Sequence, residues 1–383
     1  MGSILIKEVL LSEKAATGPV DIFIEDGRII SVNNDTLSRE ADVAVDGSDL
    51  TAFPGFVDIH IHGAVGVDVN EGDADSMLRI AAFLAKNGVT SWVPTLVPDS
   101  DANYERVIDE IDRLMTKQAG RPVAQAVGVH YEGVFANEKM CGALRPEYFK
   151  RFSENGKVGL PVLKSGVHLT TLAPEAAGGI DLIRQLIADG WIPLIGHTRA
   201  DATTLDAAFA AGARHITHFF NAMTGVHHRD LGVAGWTLTN DMMTFDIIAD
   251  GIHVEPRILK MAVDSKRTTN VTLISDSVAP TGLGDGRFEL WGETVSVVNG
   301  RTQNERGSIA GSVITMLDAF RQMSRLGYSG HDLSIMSALN PARLLGLDGE
   351  IGSLDVGKYA DIVLIDKYGT VEHAFVRGVP IDQ

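Results

Sequence analysis

From residue 54 onward the apolar positions follow two alternating patterns. Short runs dense in Val, Ile, Leu and Phe lie at 54–62, 89–96, 125–132, 166–172, 192–197, 214–220, 245–253 and 270–276, and these read as strands. Between them, apolar residues recur at helical spacing in "DADSMLRIAAFLAKNG" (73–88), "YERVIDEIDRLMTKQ" (104–118), "GGIDLIRQLIADG" (178–190) and "ATTLDAAFAAGA" (202–213). Each of these helical segments ends near a glycine that can cap it. Strand–helix alternation implies parallel strands covered by helices. Eight such strands suit a closed (β/α)8 barrel, for which about 250 residues is typical. A doubly wound sheet is the alternative, but no G-x-G-x-x-G turn follows the first strand.

The ends of the chain have a different pattern. "ILIKEVLL", "DIFIEDGRIISVN", "DVAVDG" and "LTAFPG" are short strands with turn signals and no helical period, and "EIGSLDVGKYADIVLIDKYGTVEHAFVRGVPI" looks the same. Each set is too small to be stable alone. They are therefore expected to combine into one small β-sandwich. The expected division is an N-terminal sandwich part over 1–53, the barrel over 54–348 and a C-terminal sandwich part over 349–383.

Composition narrows the function classes. A chain of 383 residues can bury a large core with a small module beside it. Lys+Arg 33 against Asp+Glu 50 gives a net charge of −17, which argues against nucleic acid or an anionic membrane as partner. A local basic group could still hold a phosphate. One cysteine allows no intrachain disulfide. The start "MGSILIKEVLLSEKAA" lacks the features of a secretory signal, and Ile6 stands where a myristoylation motif has Ser or Thr. The apolar runs are far short of a membrane span. A cytoplasmic protein is expected.

Candidate chemistry sits at the strand ends, where barrels carry their sites. The first strand carries "DIHIHG", and side chains at i and i+2 share a face, so His60 and His62 stand side by side. The third ends "GVHYEG" with Glu132, the fifth "PLIGH" with His197, and the sixth carries "HITHFFNAM" with His215 and His218. The seventh ends "ADGIHV" with His253 and the eighth "LISDS" with Asp276. Singly, each is an ordinary hydrogen-bonded residue; together, buried imidazoles and carboxylates are costly unless paired or metal-bound. The mixed N and O ligands suit Zn²⁺ or Fe²⁺. His215, three residues before His218, is expected to face the other way. A metal lowers the pKa of water from 15.7 to about 7, so Asp276 is placed to take its proton and pass it to a departing amine. This is machinery for hydrolysing an amide or related C–N bond.

The pieces "PGFVDIHIHG", "VGVHYEG", "TLAPE", "IGHTRA", "THFFNAMTGVHHRDLG", "IIADGIHV", "ISDSVAPTG", "GSIAGS" and "NPARLLGL" span essentially the whole chain. With them the chain resembles the amidohydrolase superfamily and, more narrowly, the N-acetylglucosamine-6-phosphate deacetylases. "TGVHHRDLG" fits the N-acetylgalactosamine-6-phosphate branch about as well. The resemblance implies Glu132, His197 and His218 as main metal ligands, with His60 and His62 holding a second ion in some members, so one or two ions per subunit. It implies Asp276 as catalytic acid/base. Asn221, Ala222 and His253 match substrate contacts, Ala143 lies on the loop over the substrate, and Ile309, Ala310 and Gly311 match a loop closing over the sugar. Arg229, helped by His228, matches a phosphate-binding group that reaches into the neighbouring subunit's site, which implies a homodimer. Activity on N-acetylglucosamine-6-phosphate, giving glucosamine-6-phosphate and acetate in amino sugar metabolism, is then expected, with the galactosamine epimer as the alternative.

Two positions depart from the family pattern. Val134 follows H-x-E-G where proline is usual. In "NEKMCGALRP", Leu144 stands where a histidine usually contacts the acetyl carbonyl, and leucine donates no hydrogen bond. Losing one oxyanion donor costs about 10²–10³ in rate in a well-studied protease. A second ion on His60 and His62, Arg145 or a rearranged loop are candidate substitutes; a different substrate is the other explanation. Cys141 in the same loop reads as a passive small residue. Rival readings are another amidohydrolase and an inactive sugar-phosphate sensor. Against the cyclic amidases, the fourth strand "GVHLTTLAPE" ends without a lysine; against the sensor, Asp276 is retained.

Overall fold

The computed structural model describes residues 2–13, 18–33, 40–152 and 158–382; positions 1, 14–17, 34–39, 153–157 and 383 lie outside the described residues. Eight parallel strands form the barrel: Phe56–Ile61, Val89–Leu96, Gly128–Phe135, Val167–Leu172, Ile192–Ile195, His215–Ile216, Thr244–Ile248 and Val271–Ile274. Pairing runs in chain order from the first to the eighth. The ring closes where Ile61 bridges Ser277 in parallel and the Asp276 amide donates to the His60 carbonyl at 2.9 Å. Strands one to three are buried along their whole length, as parallel strands covered on both faces must be.

The helices on the outside follow from local signals. Ala74–Lys86 starts at a capping box between Asp73 and Ser76 and buries Met77, Ile80, Ala81 and Leu84 on one face. Asp101–Lys117 is capped by Ser100, and Ala202–Ala211 is capped by Asp201 and stopped by Gly212 at φ 117°. Gly179–Ala188 has Gly178 at its start. All four lie where the hydrophobic spacing puts them. After the third strand, the described residues hold two short 3₁₀ turns, Glu138–Met140 and Pro146–Tyr148, and no α-helix. Gly142, Ala143 and Leu144 of this crossover line the cavity at the barrel mouth.

Two strands end well short of their apolar runs. The sixth ends at Ile216, not 220, because His218, Phe220 and Ala222 all take positive φ. The seventh ends at Ile248, not 253, because the Asp250 carboxylate gathers the amides of Ile252 and His253 into a turn. After the eighth strand the chain makes a three-stranded antiparallel sheet, Gly286–Leu290, Glu293–Val298 and Arg301–Asn304. Leu290, Trp291 and Val295 of this sheet pack with Val97, Leu144, Val278 and Ala310. They cover the mouth above strands eight, one and two.

Strands from both termini form one eight-stranded sheet. Ile4–Leu11 pairs with Val20–Glu25 and Val43–Asp46 at its start and with Thr51–Pro54 at its end, and Ile362–Ile365 of the C-terminal part pairs antiparallel with Thr51–Pro54. The sheet folds over a core that includes Ile6, Ile22, Ile24, Ile362, Leu364 and Phe375. It meets the barrel side through Phe53, whose ring stands edge-on to Phe320 with centroids 5.0 Å apart.

Candidate metal centre and active site

Six side chains from five strand ends converge at the mouth. Glu132 lies among them, on the third strand. Its Oε1 is 3.0 Å from His197 Nε2 and 3.0 Å from His218 Nε2, while Oε2 is 3.2 Å from His62 Nε2. His60 Nε2 is 3.4 Å from Glu132 Oε1. Asp276 Oδ1 lies 3.5 Å from His60 Nε2 and 3.3 Å from His62 Nε2. Two groups, His60–His62–Glu132 and Glu132–His197–His218, each place their ligand atoms within 4.8 Å of one another, and all five residues are buried. Either group could hold a metal ion, and Glu132 belongs to both.

Backbone shape aims these groups. His197, His218 and Asp276 sit at φ 46°, 31° and 48°, left-handed values that non-glycine residues rarely take. The turns lift each side chain off its strand into the mouth. His197 Nδ1 donates to the Met140 carbonyl at 2.7 Å, leaving Nε2 with its lone pair toward Glu132. The His218 amide donates to Asp246, whose other oxygen takes a hydrogen bond from His215 Nε2 at 3.1 Å. His215 Nδ1 pairs with Thr244 Oγ1 at 2.7 Å. So His215 does face away from His218, and it does so as a brace.

The electrostatics call for a cation. Burial alone would lower the pKa of an imidazole, yet hydrogen bonds and charge from Asp276 and Glu132 push His62 up to about 10. At His218 the same opposition, with Glu132 as chief partner, ends at about 9. Burial would raise Glu132, but His60, His197 and His218 hold it well below the usual carboxylate range. Asp276 is likewise held low against its burial by His60 and His62. His60 and His62 face each other through Nε2 atoms 3.2 Å apart, and His197 and His218 at 3.1 Å. Facing lone pairs at that distance repel unless a proton or a metal ion lies among them. The donor set, imidazole nitrogens with carboxylate oxygens, fits a divalent ion of the zinc and iron type.

Above this cluster is a cavity of about 310 Å³ lined by His62, Glu132, His197, His218 and Asp276 together with Ala143, Asn221, Ala222, His253, Ile309 and Gly311. His253 is braced by Asp250, with Nδ1 2.6 Å from Oδ2. Ala310 sits just behind, buried in the apolar cluster. Arg229 and His228 are exposed on the turn at 227–230, outside the lining of this cavity. Arg145 is engaged elsewhere: its guanidinium pairs with Asp99 at 2.8 Å and stacks on Tyr148. Leu144 is buried and lines the cavity, and Val134 is buried in the main core. Cys141 is half-buried, outside both candidate ligand groups. Trp291, Ser308 and Leu144 also line the site; Ser308 belongs to "GSIAGS", and Trp291 carries no sequence signal. Asp246 is a second omission, legible only once its 28-residue reach to His218 is known.

Among the described residues no helix is long and apolar enough to cross a membrane. Residues 51–381 match the model of the amidohydrolase family. The chain is 32% identical to the N-acetylglucosamine-6-phosphate deacetylase of Bacillus subtilis (strain 168), over 98% of this chain and 96% of that protein. It is 32% identical to the N-acetylgalactosamine-6-phosphate deacetylase of Escherichia coli O157:H7, over 99% of each. Among solved structures, the N-acetyl-D-glucosamine-6-phosphate deacetylase of Mycobacterium smegmatis, in complex with N-acetyl-D-glucosamine-6-phosphate, is similar at a TM-score of 0.87 and 29% identity, covering 100% of this chain and 99% of that one. The Pasteurella multocida N-acetylglucosamine-6-phosphate deacetylase shares the fold at a TM-score of 0.91 and 24% identity, over 100% of both chains. This chain belongs to the amidohydrolase family, among the N-acetylhexosamine-6-phosphate deacetylases.

Proposed function

We propose that the protein hydrolyses the acetamide of N-acetylglucosamine-6-phosphate to glucosamine-6-phosphate and acetate, with the galactosamine epimer as the alternative substrate. The observation that carries this reading is the meeting of Asp276 with two histidine pairs around Glu132 under one cavity. Glu132, His197 and His218 would hold one divalent ion, and His60 and His62 with Glu132 a second; Zn²⁺ is the first choice and Fe²⁺ the second. An ion held there supplies Lewis acidity, polarising the amide carbonyl and acidifying water. Asp276 takes the proton of the attacking water and returns it to the amine nitrogen as the C–N bond breaks. Its depressed pKa keeps it ionised as a base at neutral pH.

Asn221, Ala222 and His253 would contact the sugar, with Ala143 and the Ile309–Ala310–Gly311 segment forming the rest of its enclosure. Because Arg229 and His228 lie exposed outside this chain's own cavity, we assign them to the 6-phosphate in the site of a second subunit, which makes the working unit a homodimer. A guanidinium suits a phosphate by charge and by its forked geometry. We place the reaction in the cytoplasm and divide the chain into the terminal sheet (1–53 and 349–383) and the barrel (54–348).

The test is acetate release by metal-loaded protein from both 6-phosphate epimers and from unphosphorylated N-acetylglucosamine. Turnover that needs the phosphate and falls at least 10³-fold in Asp276→Asn, with metal content unchanged, is the expected result. Metal-loaded protein that releases no acetate from any of the three would overturn the proposal.

A further inference from the structure

The two sides of the barrel mouth differ in chemistry. Asn221, Ala222 and His253 follow strands six and seven, and the order of the barrel puts these across from strands one to three. On the near side the cavity is walled by Ala143, Leu144 and Trp291. Leu144 and Trp291 share an apolar cluster with Val97, Val278 and Val295, so their positions are set by packing from three separate segments.

This wall stands directly beside the candidate metal ligands. The Trp291 ring is edge-on to the His62 ring, with centroids 5.3 Å apart. Leu144 Cδ1 occupies the space over Gly133, the residue after Glu132; a Cβ on that glycine would come within 2.2 Å of it. Two polar groups beside this wall are committed elsewhere. Trp291 Nε1 donates to Asp68 Oδ2 at 3.0 Å, and Arg145 is paired with Asp99. The side chains of Ala143, Leu144 and Trp291 therefore present only carbon toward the site.

We propose that Leu144 and Trp291 form an acyl wall: the acyl substituent of the amide lies against them while the sugar lies toward Asn221 and His253. This inference rests on the deacetylase reading above. The bond chemistry is the same for every acyl group, since water adds to the carbonyl carbon, the C–N bond breaks, and a carboxylate and an amine leave. What the wall adds is selection by polarity. An extra methylene placed on it is worth up to several-fold in kcat/KM, whereas a hydroxyl buried there without a partner costs tenfold or more. The preferred substrates are thus hexosamine 6-phosphates with short apolar acyl groups, and hydroxylated acyl groups are disfavoured.

The experiment compares kcat/KM of the metal-loaded protein on N-acetyl-, N-propionyl- and N-glycolylglucosamine-6-phosphate. The expected result is propionyl within several-fold of acetyl, and glycolyl ten- to a hundredfold below it. In Leu144→Gln the acetyl-to-glycolyl ratio is expected to fall at least tenfold at unchanged metal content. A purely structural role for Leu144 would lower all three substrates together. Equal values for acetyl and glycolyl in the unmodified protein would overturn the acyl wall, as would an unchanged ratio in the folded, metal-loaded variant. Should Leu144→Gln fail to fold, the ratio in the unmodified protein decides alone. Absence of turnover on all three would overturn the deacetylase reading, and the acyl wall with it.

Discussion

His218 sits at φ 31°, off any strand conformation, and its amide is held there by the Asp246 carboxylate, which His215 in turn braces. Removing the brace frees the turn to relax and moves the imidazole from its place beside Glu132. Asp246→Ala is expected to weaken metal binding ten- to a hundredfold in competition with a chelator, with the fold retained by circular dichroism. An unchanged metal affinity would show that Asp246 does not position His218. Much at this scale is legible in the sequence, because a strand repeats every two residues and its ends carry the chemistry. H-x-H alone places His60 beside His62, and the structure puts their Nε2 atoms 3.2 Å apart. Asp246 is not legible, since its partners are 28 and 31 residues away and an aspartate inside an apolar strand has no local signature. Trp291 is hidden for the same reason: what matters is its contact with His62, made 229 positions along the chain.

Elements show where hydrophobic periodicity succeeds and where it stops. All eight barrel strands and the four amphipathic helices stand where their periods put them, because burial against a common core enforces those periods. The sixth and seventh strands end early because the Asp246 carboxylate takes the His218 amide and the Asp250 carboxylate gathers those of Ile252 and His253, within runs that remain apolar. The three-stranded insertion after strand eight has a pattern of its own and no connection to the barrel repeat. The turn at 227–230 belongs to this scale too. It projects His228 and Arg229 into solvent beside exposed Val226 and Leu231, as a segment completing a second subunit's site would. Arg229→Ala is expected to raise KM for a 6-phosphate substrate ten- to a hundredfold and leave the unphosphorylated sugar unaffected, the size of one or two charge-assisted hydrogen bonds. Mixing Arg229→Ala subunits with Asp276→Asn subunits should produce activity above the sum of the two, since one mixed site is then intact. No gain on mixing, with dimers exchanging, would place the arginine in its own subunit's site or outside catalysis.

Across the whole molecule, the terminal sheet meets the barrel through the buried Phe53 ring, and the terminal part itself buries a carboxylate. Asp361 is buried just before the strand Ile362–Ile365, its Oδ1 accepts from the Arg377 amide at 2.7 Å, and its Oδ2 has no hydrogen-bond partner among the described residues. Burial outweighs that bond and lifts its pKa from 3.8 to about 6. A folded-state pKa above the unfolded one means the fold holds the proton more tightly, so this group's contribution is most favourable below pH 4 and is lost as pH rises through 6. Asp361→Asn should therefore raise Tm more at pH 8 than at pH 4.5, with a limit of about 3 kcal/mol at the higher pH. Equal shifts at both values would mean the carboxylate is not desolvated in the folded state. The barrel brings groups from residues 60 to 276 to one mouth, where a divalent ion is proposed to support amide hydrolysis. The most direct test is acetate release from N-acetylglucosamine-6-phosphate and N-acetylgalactosamine-6-phosphate before chelation, after it, and after Zn²⁺ is returned. Activity on at least one epimer that disappears with the metal and returns with one or two equivalents per chain is the predicted result. Undiminished release from metal-free protein, or none from metal-loaded protein, would contradict it.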